Sequence, residues 1–302
     1  MMEQQKIIPN LWFDGAAEEA AHFYTEIFPD GRIVSSSRYP NSTAEGLADF
    51  QQNLAGKVLT VDFSLADCMF VGINAGPEFK ATPANSFMVN FDPSRDPQAR
   101  EHLDELWGKL LDGGEALMAL ERYSFSDYYG WVKDKYGFSW QLILTDPNGE
   151  PRPFIVPAFM FGSVVQNRAA EAIDYYLQVF KDAKMGTMAK YEAQVGPATP
   201  GSVMFADFML QNQWFVAMDS GGEQDFTFTE AVSFVVNCAD QAEIDYFWEK
   251  LSHYPENEQC GWCKDKFGVS WQIVPENMEE LMQKPNAFAT LMQQKKIVVA
   301  DY

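Results

Sequence analysis

Basic residues are few in this sequence: 22 lysines and arginines stand against 43 aspartates and glutamates, for a formal net charge of −21. A surface of that sign repels phosphate backbones and anionic lipids, so neither a nucleic-acid nor a membrane partner is expected. Long apolar runs are missing as well. No stretch approaches the roughly 18 residues that a bilayer span needs, and the opening MMEQQKIIPN carries no apolar signal region. A cytoplasmic location is the default expectation. Cysteine is sparse, and the spacing of Cys68, Cys238, Cys260 and Cys263 does not suit a secreted disulfide framework. Cys260-Gly-Trp-Cys263 has the spacing of a redox or zinc motif. On a strand, however, residues three apart point to opposite faces about 10 Å apart, whereas a disulfide needs Cα atoms within about 7 Å. No second pair completes a zinc site. Histidine is scarcer still: His22 and His102 fall on predicted helices and His253 in a loop. A glycine-rich turn between strand and helix, which a conventional nucleotide-cofactor fold needs, is also absent. DGGEAL at Asp112 follows a helix and reads as its C-terminal cap.

What is present is a globular composition, 47% hydrophobic and 15% aromatic, in a chain of 302 residues, long enough for two domains with cores of their own. It is also present twice. GWVKDKYGFSWQLI begins at Gly130 and GWCKDKFGVSWQIV at Gly261; nine of the fourteen positions are identical. In the same order, FYTEIFPDGRI at Phe23 answers to YYLQVFKDAKM at Tyr175. SFMVNFD at Ser86 answers to SFVVNCA at Ser233, and LDELWGKL at Leu103 to IDYFWEKL at Ile244. A repeat of this length is a duplicated domain rather than a solenoid unit.

The first copy reads as a strand at 6–13, a helix at 16–28 with Ala20, Phe23, Ile27 and Phe28 on one side, and strands at 32–39, 57–65 and 68–73. The pattern then restarts: a strand at 86–91, a helix at 97–111, and strands at 116–122, 128–133 and 138–144. Each copy is thus two βαβββ modules. The turn-rich DPNGEPRP, 146–153, is the linker. The expected domains are 1–147 and 153–302, the second with a C-terminal helical tail.

Within the repeated stretch, Asp134-Lys-Tyr-Gly137 has the composition of a turn. A four-residue loop there sets Lys133 opposite Phe138, Trp131 opposite Trp140, and Gly130 opposite Gln141. Alternation then sends Trp131, Phe138, Trp140 and Leu142 to one face, under the helices. Val132, Ser139, Gln141 and Ile143 go to the other, beside a cavity with Gly130 leaving room for Gln141. The tyrosine pair in SDYYGW supplies either a ligand-stacking surface or ordinary strand packing.

NLWFDGAAEEAAHFYTEIFPDGRI, the two GW(V/C)KDK(Y/F)G(F/V)SWQ stretches and the tail MQQKKIVVADY together resemble the glyoxalase/bleomycin-resistance/dioxygenase (vicinal oxygen chelate) superfamily. More narrowly, they resemble its PhnB-like branch, which often carries the label 3-demethylubiquinone-9 3-methyltransferase. The resemblance covers nearly the whole chain. It implies an α+β fold of tandem glyoxalase-like domains, each of two βαβββ modules forming an open mixed β barrel around a ligand cavity. Metal enzymes of that superfamily place His or Glu on the opening strand of each module and Glu on the closing strand. Here the closing position matches Gln141 and Gln272, and the opening positions match Ile8 or Pro9, Ser86, Val156 or Pro157, and Ser233. Glutamine is a neutral, weak ligand and the aliphatic residues cannot ligate. No metal and no cofactor is therefore expected.

Strand alternation makes Asn10, Trp12, Ser86, Asn90 and Gln141 the first copy's cavity wall, and Ala158, Met160, Ser233, Asn237 and Gln272 the second's. An exchange of modules between copies would mix the two walls. Neutral hydrogen-bonding groups with an aromatic suit a small, partly apolar ligand. The expected function is metal-free small-molecule binding. The alternative is a glyoxalase-like or PhnB-like enzyme (lyase, dioxygenase or methyltransferase) with a non-standard metal or cofactor site. The repeat itself makes the chain a monomer with an internal pseudo-dimer, or a homodimer.

Overall fold

The structure, a computed structural model, describes residues 5–302. The first half contains β1 (Ile7–Phe13), α1 (Ala17–Ile27), β2 (Arg32–Arg38), β3 (Val58–Leu65) and β4 (Cys68–Asn74), then β5 (Asn85–Phe91), α2 (Ala99–Leu111), β6 (Glu115–Tyr123), β7 (Ser126–Lys133) and β8 (Ser139–Leu144). The second half repeats the order less the counterpart of β6: β9 (Ile155–Phe161), α3 (Ala169–Val179), β10 (Lys184–Lys190), β11 (Val203–Leu210), β12 (Gln213–Asp219), β13 (Val232–Cys238), α4 (Gln241–Leu251), β14 (Trp262–Lys264) and β15 (Ser270–Pro275), so its last module is βαββ and not the βαβββ expected, the chain between α4 and β14 being too short for a third strand. Two short helices, α5 (Met278–Met282) and α6 (Ala287–Gln293), form the tail. No described helix is long and apolar enough to cross a membrane.

The four modules are shared between the sheets in a crossed manner. One sheet has seven strands in the order β14-β15-β13-β1-β4-β3-β2; the other has eight in the order β10-β11-β12-β9-β5-β8-β7-β6. Each therefore joins one module from each half of the chain. The joints are antiparallel and equivalent: β1 on β13, with Asn10 opposite Ser233, and β9 on β5, with Ala158 opposite Ser86. Of the two domains expected at 1–147 and 153–302, neither closes a sheet by itself among the described residues.

What each half does own is an aromatic core between its two modules. Trp140 of β8 is fully buried against Tyr24 and Phe28 at the end of α1, Phe70 of β4 and Phe87 of β5, with ring centroids 4.8–6.3 Å apart. Trp271 of β15 occupies the same place in the second half, against Tyr176, Phe180 and Phe234. Each half is thus two modules packed back to back, helices and apolar strand faces inward. The opposite face of each sheet is left free of α1–α4, and there the chain brings its polar strand residues together.

The repeated stretch is built one residue away from the turn expected. The Asp134 N–H donates to the Phe138 carbonyl at 2.8 Å, so the loop holds Asp134 and Phe138 as a pair. Trp131 then faces Gln141, and Val132 faces Trp140. Ser139, Gln141 and Ile143 lie on the open face as expected, and Trp140 and Leu142 in the core. Trp131 and Val132 have exchanged places, and Gly130 stands on the helix side. The cause is Asp134, which is buried at 3% exposure rather than standing at an open turn. Gly130 makes room for Trp107 of α2, not for Gln141: a Cβ there would sit 2.5 Å from Trp107 Cζ3. Gly130→Ala is expected to lose about 1–3 kcal/mol through overpacking, measured as a lower urea midpoint at unchanged m-value.

Candidate functional site

On the open face of the seven-stranded sheet, alternation along β1 presents Ile8, Asn10 and Trp12, because Ile7, Leu11 and Phe13 are buried in the core. β13 presents Ser233, Val235 and Asn237, and β15 presents Ser270 and Gln272. Asn10 is directly opposite Ser233, and Gln272 Nε2 donates to Ser233 Oγ at 3.0 Å. Asn10 is 2% exposed and its Oδ1 has no hydrogen-bond partner among the described residues. A buried acceptor left unpaired is uncommon and calls for an explanation.

Two residues along from Asn10, the Trp12 indole N–H donates to the Gly76 carbonyl at 2.7 Å, which fixes the ring. Phe79 meets Trp12 edge to face at 4.9 Å, and Trp262 does so at 5.7 Å from β14, reaching across β15 and β13. The result is an aromatic wall beside a row of amide and hydroxyl groups. The segment 40–57 and the tail stand over the same sheet, where Tyr39, Leu47 and Phe288 form a small apolar cluster.

An acid belongs to this face too. Asp62 of β3 lies in one row with Val71 and Asn10 and receives a hydrogen bond from Ser35. Burial raises its carboxyl above the ordinary carboxylate range; the Ser35 hydroxyl opposes that, and Glu279 of the tail adds to it. At the other edge Lys264 pairs with Glu230 at 3.0 Å.

The eight-stranded sheet carries the counterpart with other chemistry. Gln141 Nε2 donates to Ser86 Oγ at 2.7 Å, as in the first sheet, but its Oε1 accepts from the Tyr129 hydroxyl at 2.7 Å. Cys260 stands where Tyr129 does in the repeat, and Gln272 Oε1 accepts no hydrogen bond among the described residues. Ala158 and Met160 replace Asn10 and Trp12; Met88, Val156 and Val216 join Ala158 in one apolar cluster, and Tyr129 and Trp131 join Met160 in another.

Both walls read from the sequence are therefore divided by the exchange of modules. Asn10 and Trp12 share a sheet with Ser233, Asn237 and Gln272, while Ser86, Asn90 and Gln141 share one with Ala158 and Met160. Asn90 and Asn237 have equivalent backbone partners: Asn90 Nδ2 donates to the Pro153 carbonyl and Asn237 Nδ2 to the Gln5 carbonyl. Each ties down the segment leading into the neighbouring module. Trp262, Phe79 and Asp62 were missing from the reading. The register slip in the repeated hairpin hid Trp262. Asp62 was within reach, since it sits between Val61 and Phe63, both core residues.

Opening strands β1 and β13 and closing strands β4 and β15 thus offer the open face neutral amides, hydroxyls and aliphatic groups. Among the described residues no group of three or more His, Cys, Asp or Glu is placed to hold a metal ion. That donor set does not fit a divalent transition metal, which favours imidazole, thiolate and carboxylate.

A family model described as 3-demethylubiquinone-9 3-methyltransferase matches residues 5–143 and again 153–274. Among solved structures, a Bacillus cereus PhnB protein carrying the same methyltransferase name is 38% identical. The match covers 47% of this chain and 100% of that one, with a TM-score of 0.39. Glyoxalase I from Zea mays is 10% identical over 90% of this chain and 94% of its own, with a TM-score of 0.50, a likeness of fold alone. A fosfomycin resistance protein from Listeria monocytogenes is 14% identical over 47% of this chain and 90% of its own, with a TM-score of 0.31. No curated protein matches.

Proposed function

The chain belongs to the family described as 3-demethylubiquinone-9 3-methyltransferase, within the glyoxalase/bleomycin-resistance superfamily, and from that premise we propose that it binds a neutral small molecule on the open face of the seven-stranded sheet. The observation that carries the reading is Asn10. Its buried Oδ1 lacks a partner beside Trp12, Trp262 and the free Oε1 of Gln272. A planar ligand with a donor group would satisfy both amide oxygens and lie against the indoles.

Asp62 favours a second reading, that of an enzyme, because a carboxyl on the open face, bonded to Ser35 and raised above the ordinary range by burial, is suited to proton transfer. Methyl transfer, the reaction in the family's name, finds less support: no glycine-rich cofactor turn is present in the sequence. The donor set of the open face does not favour a route through a metal.

Non-denaturing mass spectrometry of the protein as purified, followed by calorimetry with the compound it retains, tests the proposal. One site per chain is expected for that compound. Trp12→Ala should weaken it about tenfold or more, since it removes a large stacking surface. Two equal sites, or an affinity indifferent to Trp12→Ala, would refute it.

A further inference from the structure

The eight-stranded sheet has an open face of its own, and most of its polar groups are already paired. Gln141 is bonded at both ends, to Tyr129 and Ser86; Asn90 is bonded to Pro153; Asp207 is held by the Arg152 guanidinium at 2.7 Å and by the Thr187 N–H. Lys133 is paired with Glu115 at 2.6 Å. Two polar groups on this face are left over, the Ser139 hydroxyl and an indole N–H. The indole N–H of Trp131 is buried and has no acceptor among the described residues, in a side chain only 6% exposed. Around it lie Tyr129, Met160, Met218, Ile143 and Phe226. Met218, Ile143 and Phe226 are half-buried and form the outer rim of this cluster. Thioether side chains are unbranched and polarizable and repack readily around an apolar guest.

We propose that this face is a second binding site, for a neutral, mainly apolar molecule with a single carbonyl-type oxygen, which accepts the hydrogen bond of Trp131 Nε1. An indole can only donate, so the ligand must bring an acceptor. A pure hydrocarbon would leave the buried donor unpaired. An anion would find no free cation among the groups named above, and would approach a chain of net charge −21. The site does not depend on the reading of the seven-stranded sheet. There the matching wall carries Asn10 and Trp12, and Trp262 takes the place of Trp131 in the repeat.

Methyl hexyl ketone is a suitable probe, titrated into the full-length chain and followed by the indole N–H resonances in ¹⁵N-correlated NMR. The Trp131 resonance, identified by its loss in Trp131→Phe, is expected to move downfield with saturation. Trp131→Phe should weaken ketone binding about tenfold, read from the methyl resonances of Met160 and Met218, while Trp12→Ala leaves it unchanged. Trp131→Phe keeps a ring in place, and its unchanged thermal midpoint would show that the fold is kept. Three outcomes would overturn the proposal: no shift of the Trp131 resonance at millimolar ketone, equal affinity in Trp131→Phe, or a loss confined to Trp12→Ala. The last would leave the first site as the only one.

Discussion

Asp134→Ala is expected to remove about 3–5 kcal/mol of stability, a large part of what a domain possesses. The carboxylate is buried and accepts four hydrogen bonds. Oδ2 takes the Tyr24 hydroxyl at 2.7 Å and the Trp140 indole N–H at 2.8 Å; Oδ1 takes the backbone N–H of Tyr136 at 2.9 Å and of Phe138 at 3.0 Å. Asp265 repeats the arrangement with Tyr176, Trp271, Phe267 and Val269. Burial pushes both carboxyls above the ordinary range, and the donors around them work against that. Truncation strands several buried donors at once, which is why the loss exceeds that of one hydrogen bond. Asp134→Asn separates this role from that of a turn former. Asparagine starts turns as well as aspartate does, but its NH₂ would meet either two backbone donors or two side-chain donors. Urea denaturation should therefore place Asn between wild type and Ala. Wild-type stability in Asp134→Asn would show that only the turn matters.

This aspartate explains why the stretch occurs twice. Each half of the chain must lock the core between its two modules, and one carboxylate joins the helix of the first module, through Tyr24 or Tyr176, to the last hairpin of the second. The sequence made the strands legible because core and open positions alternate cleanly, as in β1 and β8. It misled at Asp134 because Asp followed three residues later by Gly is a common exposed turn, and nothing in the local text shows a tyrosine 110 residues away completing it. The slip of one residue moved Trp131 and Trp262 to the wrong face. Module pairing was illegible for a different reason. IIPNLWF and IVPAFMF are alike, as are SFMVNF and SFVVNC, so a joint within a half and a joint between halves satisfy the same apolar pattern. The candidate residues of the open faces all lie on strands, but their grouping depended on that joint.

Separating the chain at its linker tests the joint itself. Expressed alone, residues 1–147 would keep the core around Trp140 but expose two strand edges that are interior in the full chain. β1 loses its pairing with β13 over Ile7–Leu11, and β5 loses its pairing with β9 over Asn85–Val89. The side-chain clamp of Gln213 on the Ile7 N–H and carbonyl goes as well, at 2.7 and 2.9 Å. Unpaired interior edges recruit another chain. Each half alone is therefore expected to self-associate, at twice its mass or more by light scattering, and the two halves co-expressed should form a one-to-one complex. A monomeric half that unfolds cooperatively at the midpoint of the full chain would contradict the crossed sheets. The consequence reaches the binding site, because Asn10 and Trp12 come from one half and Ser233, Trp262 and Gln272 from the other. Ligand binding on the seven-stranded sheet should appear only in the reassembled complex. A half paired with its own copy would set Asn10 beside Ser86 and the tyrosine-bonded Gln141, where the second free amide oxygen is lost.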